Sequence, residues 1–477
     1  MADYPQISMY IDGAWTTGSG SRREPVINPA TEAVIGQVPL AERADLDQAL
    51  AAAARGFETW RNTAIETRTR ILLEAARLVR ERAGRIGEIM TLEQGKPVGE
   101  ARGEVGRAAG IIQWDLEEAR RAYGRVIPAD AGSRLLVLRE PVGPVAAFTP
   151  WNFPAGSPMR KIAAALSAGC SIVLKASEEV PATACELVRC FADAGLPAGV
   201  LNLVFGVPEE VSSHLIDSPV IRFIAFTGSI PVGKHLAARA AAVMKPNIME
   251  LGGHAPVIVC EDVDPVAAAR SCVAGKFVNA GQVCTSPSRF IVHASIIEAF
   301  TRAFVEATGK LVVGDGLVTG TQMGPLANPR RLQALQALVD DAVRRGARVH
   351  CGGGRQGTRG YFFQPTVLTE VPDDAQLMLV EPFGPVAPIR PFTDLDEALR
   401  LANSLPYGLA AYGYTQSAAR ADTLMRRLEA GILSINHCGG SVVEAPSGGV
   451  KQSGYGREGG HEGLDGYLIT KRVSHRL

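Results

Sequence analysis

The chain has 477 residues, 46% of them hydrophobic and 21% charged, a globular composition too long for one hydrophobic core, so at least two domains are expected. Forty-nine Lys and Arg balance forty-nine Asp and Glu, and the pI lies near 7.1. That balance leaves no electrostatic footprint for nucleic acid or an anionic membrane. Met1-Ala2-Asp3-Tyr4-Pro5 carries no leader pattern, and no window approaches the roughly 18 apolar residues of a spanning helix. The cysteines at 170, 185, 190, 260, 272, 284, 351 and 438 form no C-x-x-C pair. A disulfide framework or thiolate metal cage is therefore not expected, and a reducing cytoplasm is.

Residues 7–40 read as short strands and turns. Apolar residues recur at helical spacing over 45–57 and 65–89; Lys96-Pro97 breaks the pattern, and a further helix is expected over 101–121. A β-like stretch at 123–140 sits between helices, as an excursion from the domain would. From Pro144, strand-like runs at 145–148, 171–174, 200–205 and 221–226 alternate with helical runs near 158–168, 181–194, 208–217 and 231–244. This alternation is the pattern of a doubly wound parallel sheet, whose ligands bind at the carboxyl ends of the strands. A second α/β block begins at 255–260. It continues through a helix over 265–276, a strand over 289–292, helices over 296–310, 329–345 and 394–403, and strands near 361–368, 385–389, 409–415 and 431–435. The glycine-rich tail ends in an expected edge strand at 466–470.

Several strand ends and loops carry residues that could do chemistry, each with a plainer reading beside it. In Asn279-Ala280-Gly281-Gln282-Val283-Cys284-Thr285-Ser286 the thiol is either a small buried hydrophobe or a nucleophile with room for a substrate. Thr149-Pro150-Trp151-Asn152 ends one strand, and the Asn152 amide could hold an oxyanion. Lys175 and Glu178 are either a surface ion pair or contacts for ribose hydroxyls. Thr227-Gly228-Ser229 opens a helix, as a capped turn or a phosphate site. Glu250, in an apolar glycine-flanked setting, is either a solvated hinge residue or a base of raised pKa. Glu381 is a third candidate carboxylate. The histidines have no ligand spacing, so no metal site is expected.

Together these stretches resemble the aldehyde dehydrogenase superfamily. The residues that carry the resemblance are Thr149-Pro150-Trp151-Asn152-Phe153-Pro154, Leu174-Lys175-Ala176-Ser177-Glu178, Phe226-Thr227-Gly228-Ser229, Glu250-Leu251-Gly252-Gly253, Gly281-Gln282-Val283-Cys284 and Glu381-Pro382-Phe383-Gly384-Pro385-Val386. The resemblance implies an NAD-binding doubly wound domain from 1–122 and 141–249, and a second α/β catalytic domain over 250–440. It also implies a small β oligomerisation element from 123–140 and 460–477, a return segment at 441–459, and a dimer or a tetramer built from dimers. Residue by residue, it implies Cys284 as nucleophile, Asn152 with the Cys284 N–H as oxyanion hole, Glu250 as base, and Lys161 with Glu458 as supporting or proton-relay groups. NAD contacts are implied at Lys175, Glu178, Ser229 and Glu381, with Thr149, Trp151, Thr227, Gly228, Leu251 and Phe383 beside them. Glu178 would repel a 2′-phosphate, which favours NAD over NADP.

Within the superfamily the chain most resembles succinate-semialdehyde and 2-oxoglutarate-semialdehyde dehydrogenases, on Thr91-Leu92-Glu93-Gln94-Gly95-Lys96-Pro97, Tyr123-Gly124-Arg125 and Gly449-Val450-Lys451-Gln452-Ser453-Gly454. Arg160 matches an arginine implied to bind the substrate's distal carboxylate, although its plainer reading is a surface arginine. Ser441 and Val278 are the other residues expected at the substrate. Val278 stands where succinate-semialdehyde enzymes tend to carry a second arginine, and Ser447 replaces a usual aromatic. A general aliphatic or aromatic aldehyde dehydrogenase and a CoA-acylating one are the alternative functions.

Overall fold

The computed structural model describes residues 4–439 and 442–476. Its first sheet has five parallel strands at its heart, in the order Asn247–Leu251, Phe223–Gly228, Val145–Phe148, Ile172–Lys175 and Leu201–Val204. Val145–Phe148 and Ile172–Lys175 are buried along their whole length, as strands covered on both faces by helices must be. From Val145–Phe148 the chain winds one way to Ile172–Lys175 and Leu201–Val204, then returns to wind the other way. The switch point therefore lies between Val145–Phe148 and Phe223–Gly228, and sheets of this kind bind ligands at the carboxyl ends beside it. A hairpin of Met9–Ile11 and Ala14–Thr16 closes one edge of the sheet, and Gly454–Tyr455 closes the other.

The second sheet runs Arg348–Cys351, Thr366–Thr369, Val386–Phe392, Pro287–His293, Ala255–Val259, Ala410–Tyr414 and Ile432–Ile435. All its pairings are parallel except that of Arg348–Cys351. In a third, antiparallel sheet, Ser133–Pro141 pairs with Leu468–Arg476 on one side and Arg125–Ile127 on the other. Val126 there is 78% exposed.

The α/β alternation appears as expected, with differences at boundaries. The helical run over 65–89 is two helices, Ile65–Glu81 and Ala83–Gln94, broken at Arg82, which reaches across to Asp193 at 2.6 Å. The strand Asn247–Leu251 straddles the domain boundary expected between 249 and 250. Glu250 and Leu251 pair with Thr227 and Gly228, so both residues sit in the first sheet. The segment 460–477, expected wholly in the oligomerisation element, divides in two. Leu464 and Tyr467 are buried in the first core, Tyr467 with its ring centroid 4.9 Å from that of Phe223, and only Leu468–Arg476 extends into the third sheet. No helix among the described residues is long and apolar enough to cross a membrane.

The return strand depends on Gly454, whose φ of +115° places it against the Met249 carbonyl, where a Cβ would collide. Gly454→Ala is expected to cost about 1–3 kcal/mol, through strain and a broken edge pairing, read as a lower thermal midpoint. An unchanged midpoint would show that the contact relaxes freely.

Candidate active site

The helix Pro265–Lys276, capped by the Asp264 side chain, runs into the turn Val278–Gly281. There Asn279, Ala280 and Gly281 hold φ values of 50°, 53° and 71°, a left-handed run that disfavours the two residues with side chains. Side chains from elsewhere hold it. The Gln94 amide donates to Asn279 Oδ1 at 2.8 Å, and the Asn279 N–H donates to Glu100 Oε2 at 3.0 Å. Buried Gln282 donates through Nε2 to the Asn279 carbonyl at 3.1 Å and accepts the Ala327 N–H at 2.9 Å. Gly281 lies against the Gly384 carbonyl, leaving no room for a Cβ. Beyond the cysteine, the Tyr412 hydroxyl donates to the Thr285 carbonyl at 2.6 Å.

This loop leads into Pro287–His293, the central strand of the second sheet, and presents Cys284 to Glu250 of the first. The thiol donates to Glu250 Oε1 at 3.4 Å. Burial, with the charges of Glu250 and Glu381, pushes the Cys284 thiol well above its usual range, so the resting group is a thiol. Burial pushes Glu250 up to about 7; the Glu458 charge adds to this, while Lys161 and the Cys284 thiol oppose it. Lys161, fully buried, donates to Glu458 Oε1 at 2.5 Å and to Thr227 Oγ1 at 2.6 Å. Ser447 fixes the backbone of Glu458 with N–H to carbonyl bonds of 2.7 and 2.8 Å. Asn152 Nδ2 donates to the Gln282 carbonyl at 3.1 Å, one of the two bonds its amide nitrogen can donate. The structure thus brings together Cys284, Glu250, Asn152, Lys161, Glu458 and Thr227.

Of the residues expected at the dinucleotide, Thr149, Trp151, Lys175, Glu178, Thr227, Gly228, Ser229 and Leu251 lie at or just past the carboxyl ends of parallel strands of the first sheet. Thr149 has a buried hydroxyl without a hydrogen-bond partner among the described residues. Ser229 stands at the N-terminus of the helix Ile230–Ala242, and its hydroxyl makes no capping bond. Lys175 donates to Glu178 Oε2 at 2.6 Å, and Glu178 Oε1 accepts the Gly206 N–H at 2.9 Å. Glu381 accepts the Gly253 N–H at 3.2 Å and is pushed up to about 8 by burial. Trp151 meets Phe383 edge to face at 5.6 Å, while Gly228 and Leu251 pair across the sheet. An unsatisfied hydroxyl, a helix start without a side-chain cap and carboxylates at strand ends fit a dinucleotide.

Arg160, half-buried, has its guanidinium over Gly459, and its charge opposes the burial that pushes Asp115 up to about 8. Val278 is 39% exposed on the turn before the cysteine. Ser441 lies outside the described residues. Among the described residues no cluster of His, Cys, Asp and Glu could hold a metal.

The aldehyde dehydrogenase family model matches residues 15–473. The chain belongs to that family. A 4-(hydroxymethyl)benzenesulfonate dehydrogenase of Comamonas testosteroni is 49% identical over 464 residues, 97% of each chain. A non-phosphorylating aspartate-semialdehyde dehydrogenase of Halomonas elongata is 43% identical over 463 residues, 97% of this chain and 94% of that one. The crystal structure of a succinate-semialdehyde dehydrogenase from Burkholderia pseudomallei superposes with a TM-score of 0.97 at 39% identity, over 100% of this chain and 99% of that one. The protein is therefore an enzyme that oxidises aldehydes, with the α/β fold of its family. Members of the family use NAD or NADP.

Sequence reading assigned no role to several groups now seen around the site. Lys96 and Glu104 are buried beside Asn152, and Asp115 is buried near Arg160. Lys276 is brought down to about 7 by burial, and its ammonium lies 3.3 Å from Ser286 Oγ. Glu250 holds the Cys284 proton in place through its negative charge. Removing that charge in Glu250→Gln is expected to move the pH curve for alkylation of Cys284 by iodoacetamide to lower pH. A curve that stays put or moves up would contradict this coupling.

Proposed function

We propose that the protein catalyses NAD-dependent oxidation of an aldehyde bearing a distal anionic group, a semialdehyde such as succinate semialdehyde first, to the carboxylate. The observation that carries this reading is the 3.4 Å contact of Cys284 with Glu250, beside the Asn152 amide. Cys284 gives up its proton to solvent and its thiolate Sγ bonds to the aldehyde carbon, while the Asn152 amide and the Cys284 N–H steady the resulting oxyanion. The chemistry a bound nicotinamide dinucleotide supplies is acceptance of the hydride that this adduct loses. Cys284 then carries a thioester. Glu250 deprotonates a water that attacks it, releasing the carboxylate and restoring the thiol. Lys161 and Glu458, a buried pair whose charges act on Glu250, pass its proton outward.

Lys175 and Glu178 would hold the adenosine ribose, Ser229 the pyrophosphate and Glu381 the nicotinamide ribose, with Thr149, Trp151, Leu251 and Phe383 beside them. The Glu178 carboxylate disfavours a 2′-phosphate, hence NAD over NADP. In this reading the first sheet is the NAD-binding domain and the second the catalytic domain of a cytoplasmic enzyme. The third sheet, with exposed Val126, Leu138 and Ile469, joins subunits into a dimer or tetramer.

Arg160 would anchor the substrate's distal anion. The names of the benzenesulfonate, aspartate-semialdehyde and succinate-semialdehyde relatives each carry an acidic group. An aromatic sulfonate is the second reading, supported by the 49% identical relative and by apolar, exposed Val278.

Cys284→Ala is expected to abolish NADH production. Glu250→Gln should give a burst of about one NADH per site and then slow turnover; wild-type turnover would remove Glu250 as the base. In the wild type, turnover should rise as pH climbs towards about 7, where Glu250 ionises, and flatten above. Arg160→Ala should lower kcat/KM for succinate semialdehyde by about 10–100-fold, the worth of a charge-assisted hydrogen bond, with hexanal little affected. Equal loss on both substrates would contradict the anchor, and turnover only with CoA present would contradict hydrolysis.

A further inference from the structure

The stretch Thr91–Pro97, part of the resemblance to semialdehyde dehydrogenases, is used by no step above. The helix Ala83–Gln94 ends at Gly95, with φ +95°, and the next residue, Lys96, turns inward and is 2% exposed. Its ammonium donates to Glu104 Oε2 at 2.5 Å and to the Asn152 carbonyl at 2.9 Å, and lies 4.4 Å from the centre of the Phe153 ring. Glu104, also 2% exposed, accepts the Ala155 and Gly156 N–H groups at 2.9 and 3.0 Å. One buried ion pair thus grips the loop 152–156 at residues 152, 153, 155 and 156. The Asn152 carbonyl takes a second bond, 2.9 Å from Asn279 Nδ2, and Asn279 belongs to the left-handed turn that carries Cys284.

We propose that Lys96, Glu104 and Asn279 are positioning residues that fix the Asn152 backbone relative to the Cys284 turn and so aim the oxyanion-binding amide. This rests on the reading of Asn152 as that donor. A lysine and a glutamate buried together lose hydration that two apolar side chains would never need. An apolar pair, however, would leave the Asn152 carbonyl one donor short, and the N–H groups of residues 155 and 156 bare. The Gln94 amide bonds both sides of this junction, accepting the Lys96 N–H at 3.0 Å and donating to Asn279. The Val98 N–H donates to the Gly316 carbonyl at 2.9 Å, tying the same turn to the second half of the chain. The loop that holds the oxyanion and the loop that holds the thiol are therefore set by one polar junction. An error of about 1 Å in such a donor is enough to cost about 100-fold in rate.

The test is the double variant Lys96→Met/Glu104→Gln, which removes both charges at once and keeps their bulk, with Asn279→Asp, which turns the second donor into an acceptor and tolerates the left-handed backbone. Each is expected to lower kcat about 10–100-fold while KM for aldehyde and for NAD⁺ stays within about 2-fold. Iodoacetamide alkylation of Cys284, which makes no oxyanion, should keep its wild-type rate. Asn152→Ala runs alongside. If Asn152→Ala loses kcat but Asn279→Asp keeps it, the positioning role is overturned, whether or not the double variant folds. Wild-type kcat in Asn152→Ala would overturn the reading of Asn152 and the proposal with it. A fall in alkylation parallel to kcat would show a general collapse of the site and would also overturn the role.

Discussion

Cys284 and Glu250, the proposed nucleophile and base, belong to different sheets, so their 3.4 Å contact holds only while the two sheets keep a fixed relation. Glycines and buried polar groups keep it. Gly252 passes so close to the Glu381 carboxylate that a Cβ would collide with it, and the Gly253 N–H bonds that same carboxylate. Ser453 ties the crossing to the return segment, donating to the Gly252 carbonyl and accepting the Gly408 N–H, at 2.8 and 2.9 Å. These short contacts let the chain pass from first sheet to second within a few residues of Glu250.

The same closeness sets the protonation states. Glu250 and Glu381 lie within electrostatic reach of each other and of Cys284, and three anions in so dry a place would repel strongly. The cluster avoids that by keeping the thiol protonated and raising both carboxyls to about 7 and about 8. A base with a pKa near neutrality can both take a proton and return it within one cycle. Lys161 and Glu458, buried behind it, form an ion pair whose two charges act on Glu250 in opposite directions.

Much of this was legible in the residues. The helix Pro265–Lys276 begins at a proline behind an aspartate cap, and both of its ends were expected where they lie. The two α/β blocks showed through the alternation of short apolar runs with helical spacing. The strand Asn247–Leu251 did not, because it is five residues long and follows Pro246, so its pattern resembles a turn. The helix Ala418–Arg427 was equally hidden, since Leu424 is its only buried residue. For the site, Cys284, Glu250 and Asn152 could be named because a family motif surrounds each. Lys96, Glu104 and Asn279 could not be given roles, because the loop they hold lies 51 to 127 residues away, at separations no periodicity encodes. Thr227 was expected at the cofactor; its hydroxyl also accepts a bond from Lys161, which joins it to the buried pair. Arg160 could be named, but its approach to Gly459 and its pull on Asp115 needed the fold.

The account stands on a covalent intermediate at Cys284 that Glu250 resolves. Its most direct test is the intact mass of Glu250→Gln mixed with succinate semialdehyde and NAD⁺ and quenched within the burst. The account predicts a protein heavier by one acyl group, with the addition mapped to the peptide holding Cys284. NADH formed with no adduct on that cysteine would contradict it.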